Sequence, residues 1–195
     1  FEYSEWRNPG DSIQWRIRLY GNSGYNMEFH LDLFSIEQYP SDQEVDFGIN
    51  NSQLSGDWDF LPTKKLEIID SDFIDGRLNV YSSINNDNLL ILNSNFNNFG
   101  FVMNEQSSAD SIKIDSCDFN DSNADLFVNI YGEITNSNFY NGSTGLQLKS
   151  SGYGGEYFCE NINVHHNNSH GIETVKSDLT INYSFIHNNN GDGIE

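Results

Sequence analysis

The sequence predicts an all-β fold in which one chain winds into about eight stacked coils of parallel strands. Three observations carry this reading. The chain aligns with itself: Ile68, Ile91, Ile114, Ile134, Cys159 and Ile181 each stand five residues before Phe73, Phe96, Phe119, Phe139, Val164 and Ile186, with Ser71, Ser94, Cys117, Ser137, Ile162 and Ser184 between them. The step from one anchor to the next is 20 to 25 residues, a period at which internal repetition signals a solenoid. Within a unit the apolar residues alternate, as in Leu89 and Ile91 or Leu179 and Ile181, and period two is the mark of a strand.

Taken in chain order, residues 1–24 stand apart. Ile13, Trp15, Ile17 and Leu19 alternate, and Gly21-Asn22-Ser23-Gly24 offers a turn into Met27, Phe29 and Leu31. That pattern suits an antiparallel hairpin capping the stack, or the end of a preceding module. Residues 25–195 read as the solenoid. Phe29, Leu31, Phe34 and Ile36, then Ile49, Ser52 and Leu54, satisfy the template of the later units and predict two lower coils.

From Leu66 onward each unit reads strand, corner, strand, loop, strand. The inward positions Ile91 and Ser94 are separated by an odd interval, so the chain must bend between them without turning its core face outward. The residues at that bend, Asp70, Asn93, Asn136 and Asn161, are types that accept left-handed or turn dihedrals. Helical repeats are excluded by the missing three-and-four spacing, and Ala, the best helix former, occurs only at positions 109 and 124.

Inward ladders define the expected core. Phe73, Phe96, Phe119 and Phe139 should stack, each contributing roughly 1.5–3 kcal/mol of apolar burial. The serine ladder should also face inward, its hydroxyls bonding the backbone or one another, and the corner Asn amides should bond between layers. Cys117 and Cys159 fall on ladders two coils apart, about 10 Å along the axis, which exceeds the roughly 7 Å Cα limit of a disulfide. Two buried free thiols are therefore expected.

The segment Leu179-Thr-Ile-Asn-Tyr-Ser-Phe-Ile-His-Asn-Asn-Asn-Gly-Asp-Gly-Ile194, with the similar His166-Asn167-Asn168-Ser169-His170-Gly171-Ile172 one unit earlier, resembles the repeat of right-handed parallel β-helices of the pectate-lyase-like kind, shared with many large bacterial surface proteins. The resemblance covers Leu66 to Glu195. It implies a right-handed helix, a place in a larger secreted or cell-surface protein, and a chain continuing past residue 195. It is specific for fold and nearly silent on activity, since such folds host lyases, hydrolases and epimerases as well as adhesins.

Charge bounds the partners. With 29 Asp and Glu against 9 Lys and Arg, the net charge is −20, which disfavours nucleic acid, anionic membranes and polyanionic substrates. No apolar run approaches the roughly 20 residues of a membrane span.

Chemistry must then sit on outward positions. Tyr140, His165 and His187 each follow an anchor in consecutive coils and predict an exposed ring row about 4.8 Å apart, suited to sugar stacking or to a shared metal ion, with His166 and His170 nearby. Asp121, Asn123 and Asp125 alternate oxygen ligands and form a candidate Ca²⁺ site, although no complete EF-hand or nonapeptide motif follows. The cations a lyase would need, Arg77, Lys113, Lys149 and Lys176, fall in no recognisable catalytic arrangement. The expected function is structural or adhesive, with carbohydrate, Ca²⁺ or neighbouring subunits as partners; the alternative is a polysaccharide-active enzyme fragment.

Overall fold

A computed structural model of the chain describes residues 30–33, 46–60, 65–80, 84–103, 109–150 and 154–195. These residues form an all-β parallel solenoid of about five turns, with no helix among them. Residues 1–24, expected as a hairpin cap or the end of a preceding module, together with Met27, Phe29, Phe34 and Ile36, lie outside the described residues.

Each turn contributes to three faces. On the first, Ile49, Ile68, Ile91, Ile114, Ile134, Cys159 and Ile181 pair in unbroken parallel register. The second carries Leu54, Phe73, Phe96, Phe119, Phe139, Val164 and Ile186 in the same way. On the third, Leu78 pairs with Phe101, and Ala124, Leu146 and Ile172 follow above. Alternation does the sorting: in Leu146–Ser150 every second side chain is buried, and a one-residue slip would turn the whole set outward.

The anchor phenylalanines form a continuous column. Centroids of Phe73 and Phe96 are 4.7 Å apart at 5°, Phe96 and Phe119 4.4 Å at 2°, Phe119 and Phe139 4.8 Å at 14°. Coil spacing, set by backbone hydrogen bonding, fixes that distance, and offset stacking makes use of it.

The serine ladder resolves in favour of the backbone. Ser71 Oγ donates to the Ile69 carbonyl at 2.9 Å and accepts the N–H of Ser52 from the coil below at 3.3 Å. Ser94 repeats this with Leu92 and Ser71, Ser137 with Thr135 and Cys117, and Ser184 with Asn182 and Ile162. At a bend the ladder cannot supply every buried N–H with a carbonyl, and these hydroxyls complete the pairing. Cys117 stands in the series with Sγ 3.3 Å from the Asp115 carbonyl. Both thiols are free and buried as expected, and burial pushes each up to about 12.

Left-handed residues turn two corners in each coil. Asn51, Asp70, Asn93, Ser116, Asn136, Asn161 and Tyr183 mark the first, with φ between 47° and 58°. Asp75, Asn98, Asp121, Asn141, His166 and Asn188 mark a second, between 49° and 62°, at a position where the repeat pattern predicts a loop.

A further departure concerns the lower end. His30–Leu33 pairs antiparallel with Asp46–Phe60, Leu31 opposite Ser52, and so is not the parallel coil expected around Leu31. Alternation records which face a side chain takes but not which way the strand runs. The described residues make about five turns, where about eight are expected over the whole chain.

Candidate functional site

Tyr140, His165 and His187 each follow an inward anchor, so alternation points them outward, and they pair in register across three coils. Tyr140 and His165 rings lie 5.1 Å apart at 14°, and His165 and His187 5.2 Å apart at 12°. The first two are half-buried and His187 is exposed. The predicted row exists, but its rings face one another. A sugar can stack only on an end of the column; elsewhere the row offers ring edges carrying a phenol and imidazole nitrogens. Below Tyr140 the same outward position holds Asn120, which donates to Asn97 Oδ1 at 2.9 Å, so the column passes from amides to rings.

His166 completes the cluster. As a left-handed corner residue, with φ of 56°, its side chain turns back beside His165, whereas neighbours in a regular strand would point apart. Its ring meets His165 edge-on at 4.9 Å and 88°, and His187 at 6.1 Å and 81°. The Nδ1 atoms of His165 and His166 are 2.7 Å apart. Burial, and then the neighbouring His166 and His187 imidazoles, lower the His165 pKa below 6.5. Burial and the Asp118 charge raise that of Tyr140. His170 belongs elsewhere: its Nε2 is 3.0 Å from Glu195 Oε2, and its Nδ1 accepts the Asp192 N–H at 3.1 Å.

The candidate calcium ligands are largely engaged. Asn123 Oδ1 accepts the Ser143 N–H at 3.0 Å, and Asp125 Oδ2 holds Lys149 Nζ at 2.9 Å. Asp121 is an exposed corner residue. Among the described residues no group of three or more His, Cys, Asp or Glu is placed to hold a metal ion.

Lys113 is likewise paired, 2.9 Å from Glu133, and the hydrogen bond and charge of that carboxylate raise its pKa. A raised lysine is protonated at neutral pH and is a poor base. A shallow depression of about 350 Å³ on the first face is lined by Lys65, Leu90, Lys113, Tyr131 and Glu133, among others.

The most extensive outward feature is a set of amide rungs between coils. Asn95 donates to Asp72 at 2.8 Å, Asn98 to Asp75 at 2.9 Å, Asn138 to Asp118 at 2.6 Å and Asn161 to Asn136 at 2.8 Å. Sequence reading expected such rungs at the first corner; at the second corner and beside the serine ladder it missed them. The signal was there in Asp and Asn recurring at equal template positions. No protein-family model, curated protein or solved structure matches this chain.

Proposed function

We propose that this chain is a structural or adhesive segment of a larger extracellular or cell-surface protein, a right-handed β-helix of the pectate-lyase-like kind without catalysis of its own. The observation behind this reading is the engagement of outward side chains with the next coil. Amides meet carboxylates, and two of the four candidate cations, Lys113 and Lys149, are held by Glu133 and Asp125, where a lyase would need a free base. What faces solvent is a firm, acidic, amide-rich flank interrupted by the ring edges of Tyr140, His165 and His187. Such a flank suits hydrogen bonding to neutral carbohydrate or packing against a neighbouring subunit.

The test is to incubate the chain with a panel of neutral and acidic polysaccharides, measuring retention by affinity electrophoresis and products by reducing ends and unsaturated-uronate absorbance. Retention by a neutral polysaccharide without product is expected, weakened in Tyr140→Ala/His187→Ala. Release of product would instead favour the polysaccharide-active alternative, with the Lys65–Lys113–Glu133 depression as its first suspect. Retention by none would remove the carbohydrate part of the reading.

A further inference from the structure

We infer that His165 and His166 form a two-imidazole site for a divalent transition-metal ion of the copper, nickel or zinc type on the outer column of the solenoid. The inference is independent of the adhesive reading, because it rests on the convergence of two nitrogen atoms.

Sequence neighbours on a regular strand cannot chelate, since their side chains leave on opposite faces. Here the left-handed corner at His166 cancels that divergence and brings the two Nδ1 atoms to 2.7 Å. At that distance one Nδ1 carries a hydrogen and the other accepts it, so the two nitrogens face one another with a single proton between them. A metal ion takes the place of the shared proton. The hydrogen-bearing ring moves its proton through solvent to its own Nε2, and each neutral imidazole then offers its Nδ1 lone pair. Metal–nitrogen bonds of about 2.0–2.1 Å put cis nitrogens about 2.9 Å apart in a square or octahedral site and about 3.3 Å apart in a tetrahedral one. The pair therefore has to open by a few tenths of an ångström, and the rings have to turn by about 45° so that both lone pairs converge on the ion instead of on each other. His166 is exposed, which leaves room for that movement.

Surroundings agree with the assignment. His187 stacks on His165 and meets His166 edge-on, and is the next imidazole in the column. His170 cannot join, because both its nitrogens are engaged. As they stand, no three donors converge among the described residues, so the ion would keep open positions for water or for a ligand atom from a partner. A net charge of −20 raises the local concentration of any cation. Imidazole nitrogen selects copper, nickel and zinc over calcium and magnesium, with copper strongest of the divalent first-row ions. That selectivity separates this site from an oxygen-lined calcium site.

The experiment is calorimetric titration of the full chain with Cu²⁺, Ni²⁺, Zn²⁺ and Ca²⁺ in a non-coordinating buffer, with the electron paramagnetic resonance spectrum of the Cu²⁺ form as a second readout. One micromolar site for Cu²⁺, weaker binding of Ni²⁺ and Zn²⁺, no Ca²⁺ binding at these histidines, and nitrogen hyperfine structure from two imidazoles are expected. His166→Asn is the main variant, since Asn fills the equivalent left-handed corner at Asn98, Asn141 and Asn188 and so preserves the bend. It should weaken Cu²⁺ by about tenfold or more, as should His165→Asn, while His170→Ala leaves affinity unchanged. Cu²⁺ affinity unaltered in both His166→Asn and His165→Asn, a loss of equal size in His170→Ala, or no Cu²⁺ binding tighter than millimolar would overturn the assignment.

Discussion

Two columns of rings climb this molecule one residue apart, and the backbone treats them alike. The inward column, Phe73 to Phe139, has centroids 4.4 to 4.8 Å apart; the outward one, Tyr140 to His187, has 5.1 and 5.2 Å. Both spacings follow from the coil repeat. What differs is the surroundings: the phenylalanines are excluded from water, while the tyrosine and histidines keep an edge in it. A solenoid thus produces stacked rings wherever equivalent positions carry them, and stacking alone does not mark a site. Side-chain chemistry decides, and on the outer column it changes where the amides of Asn97 and Asn120 give way to Tyr140 and the histidines.

The contrast can be broken most sharply from inside. Phe96→Ala opens a hole between two stacked neighbours and should cost about 3–5 kcal/mol, read as a lowered urea midpoint at unchanged m. Ser94→Ala strands the Ser71 N–H, which Ser94 Oγ accepts at 3.1 Å, and should cost about 1–3 kcal/mol. Ser184→Ala is its control on a half-exposed rung and should cost less, because water can replace the hydroxyl.

A smaller effect is expected at Asp115, where pH separates charge from shape. Burial alone would raise this carboxyl; hydrogen bonds from Thr135 and Asn136, both 2.7 Å, and the Lys113 charge outweigh it and hold its pKa below 3.8. Its folded value lies below its unfolded one, so the stabilisation is present above pH 3.8 and disappears as pH falls through the folded value. Chemical denaturation of wild type and Asp115→Asn should show a gap of about 0.5–1 kcal/mol at neutral pH that closes in acid. A gap that persists unchanged at pH 2 would assign the effect to packing instead.

The smallest change belongs to the outer column. His187→Ala should alter stability by no more than about 0.5 kcal/mol, checked by thermal melting. A loss near that of Phe96→Ala would mean that the outer rings hold the coils together and would abolish the contrast.

Much of this architecture was legible because a solenoid writes its core as a list of equal positions. The isoleucine, serine and phenylalanine ladders and the first corner could be read from spacing. The second corner uses the same odd interval, plain in the buried pair Phe96 and Phe99, but polar residues disguise it elsewhere: Ser122 and Asn167 occupy the inward position and are buried. Ser122 Oγ accepts the Phe99 N–H at 3.0 Å, and Asn167 Oδ1 the Gly142 N–H at 3.0 Å, so their polarity completes backbone pairing in the core. Strand direction at His30–Leu33 was illegible because alternation carries no arrow. The register of Tyr140, His165 and His187 follows from spacing, whereas their ring orientation does not, since a one-letter pattern gives positions and not the planes of side chains. From spacing His166 is only a neighbour of the row, because its approach to His165 depends on a dihedral that spacing does not encode.

The amide rungs also give this molecule a way to age. Asn95, Asn98 and Asn138 each sit one coil above an aspartate and bridge to it through a side-chain nitrogen. Hydrolysis of any of those amides would exchange a donor for a second carboxylate and set two negative charges face to face on an already anionic flank. Time in water would then be recorded as a coil-by-coil weakening of the rod, beginning at whichever rung loses its nitrogen first.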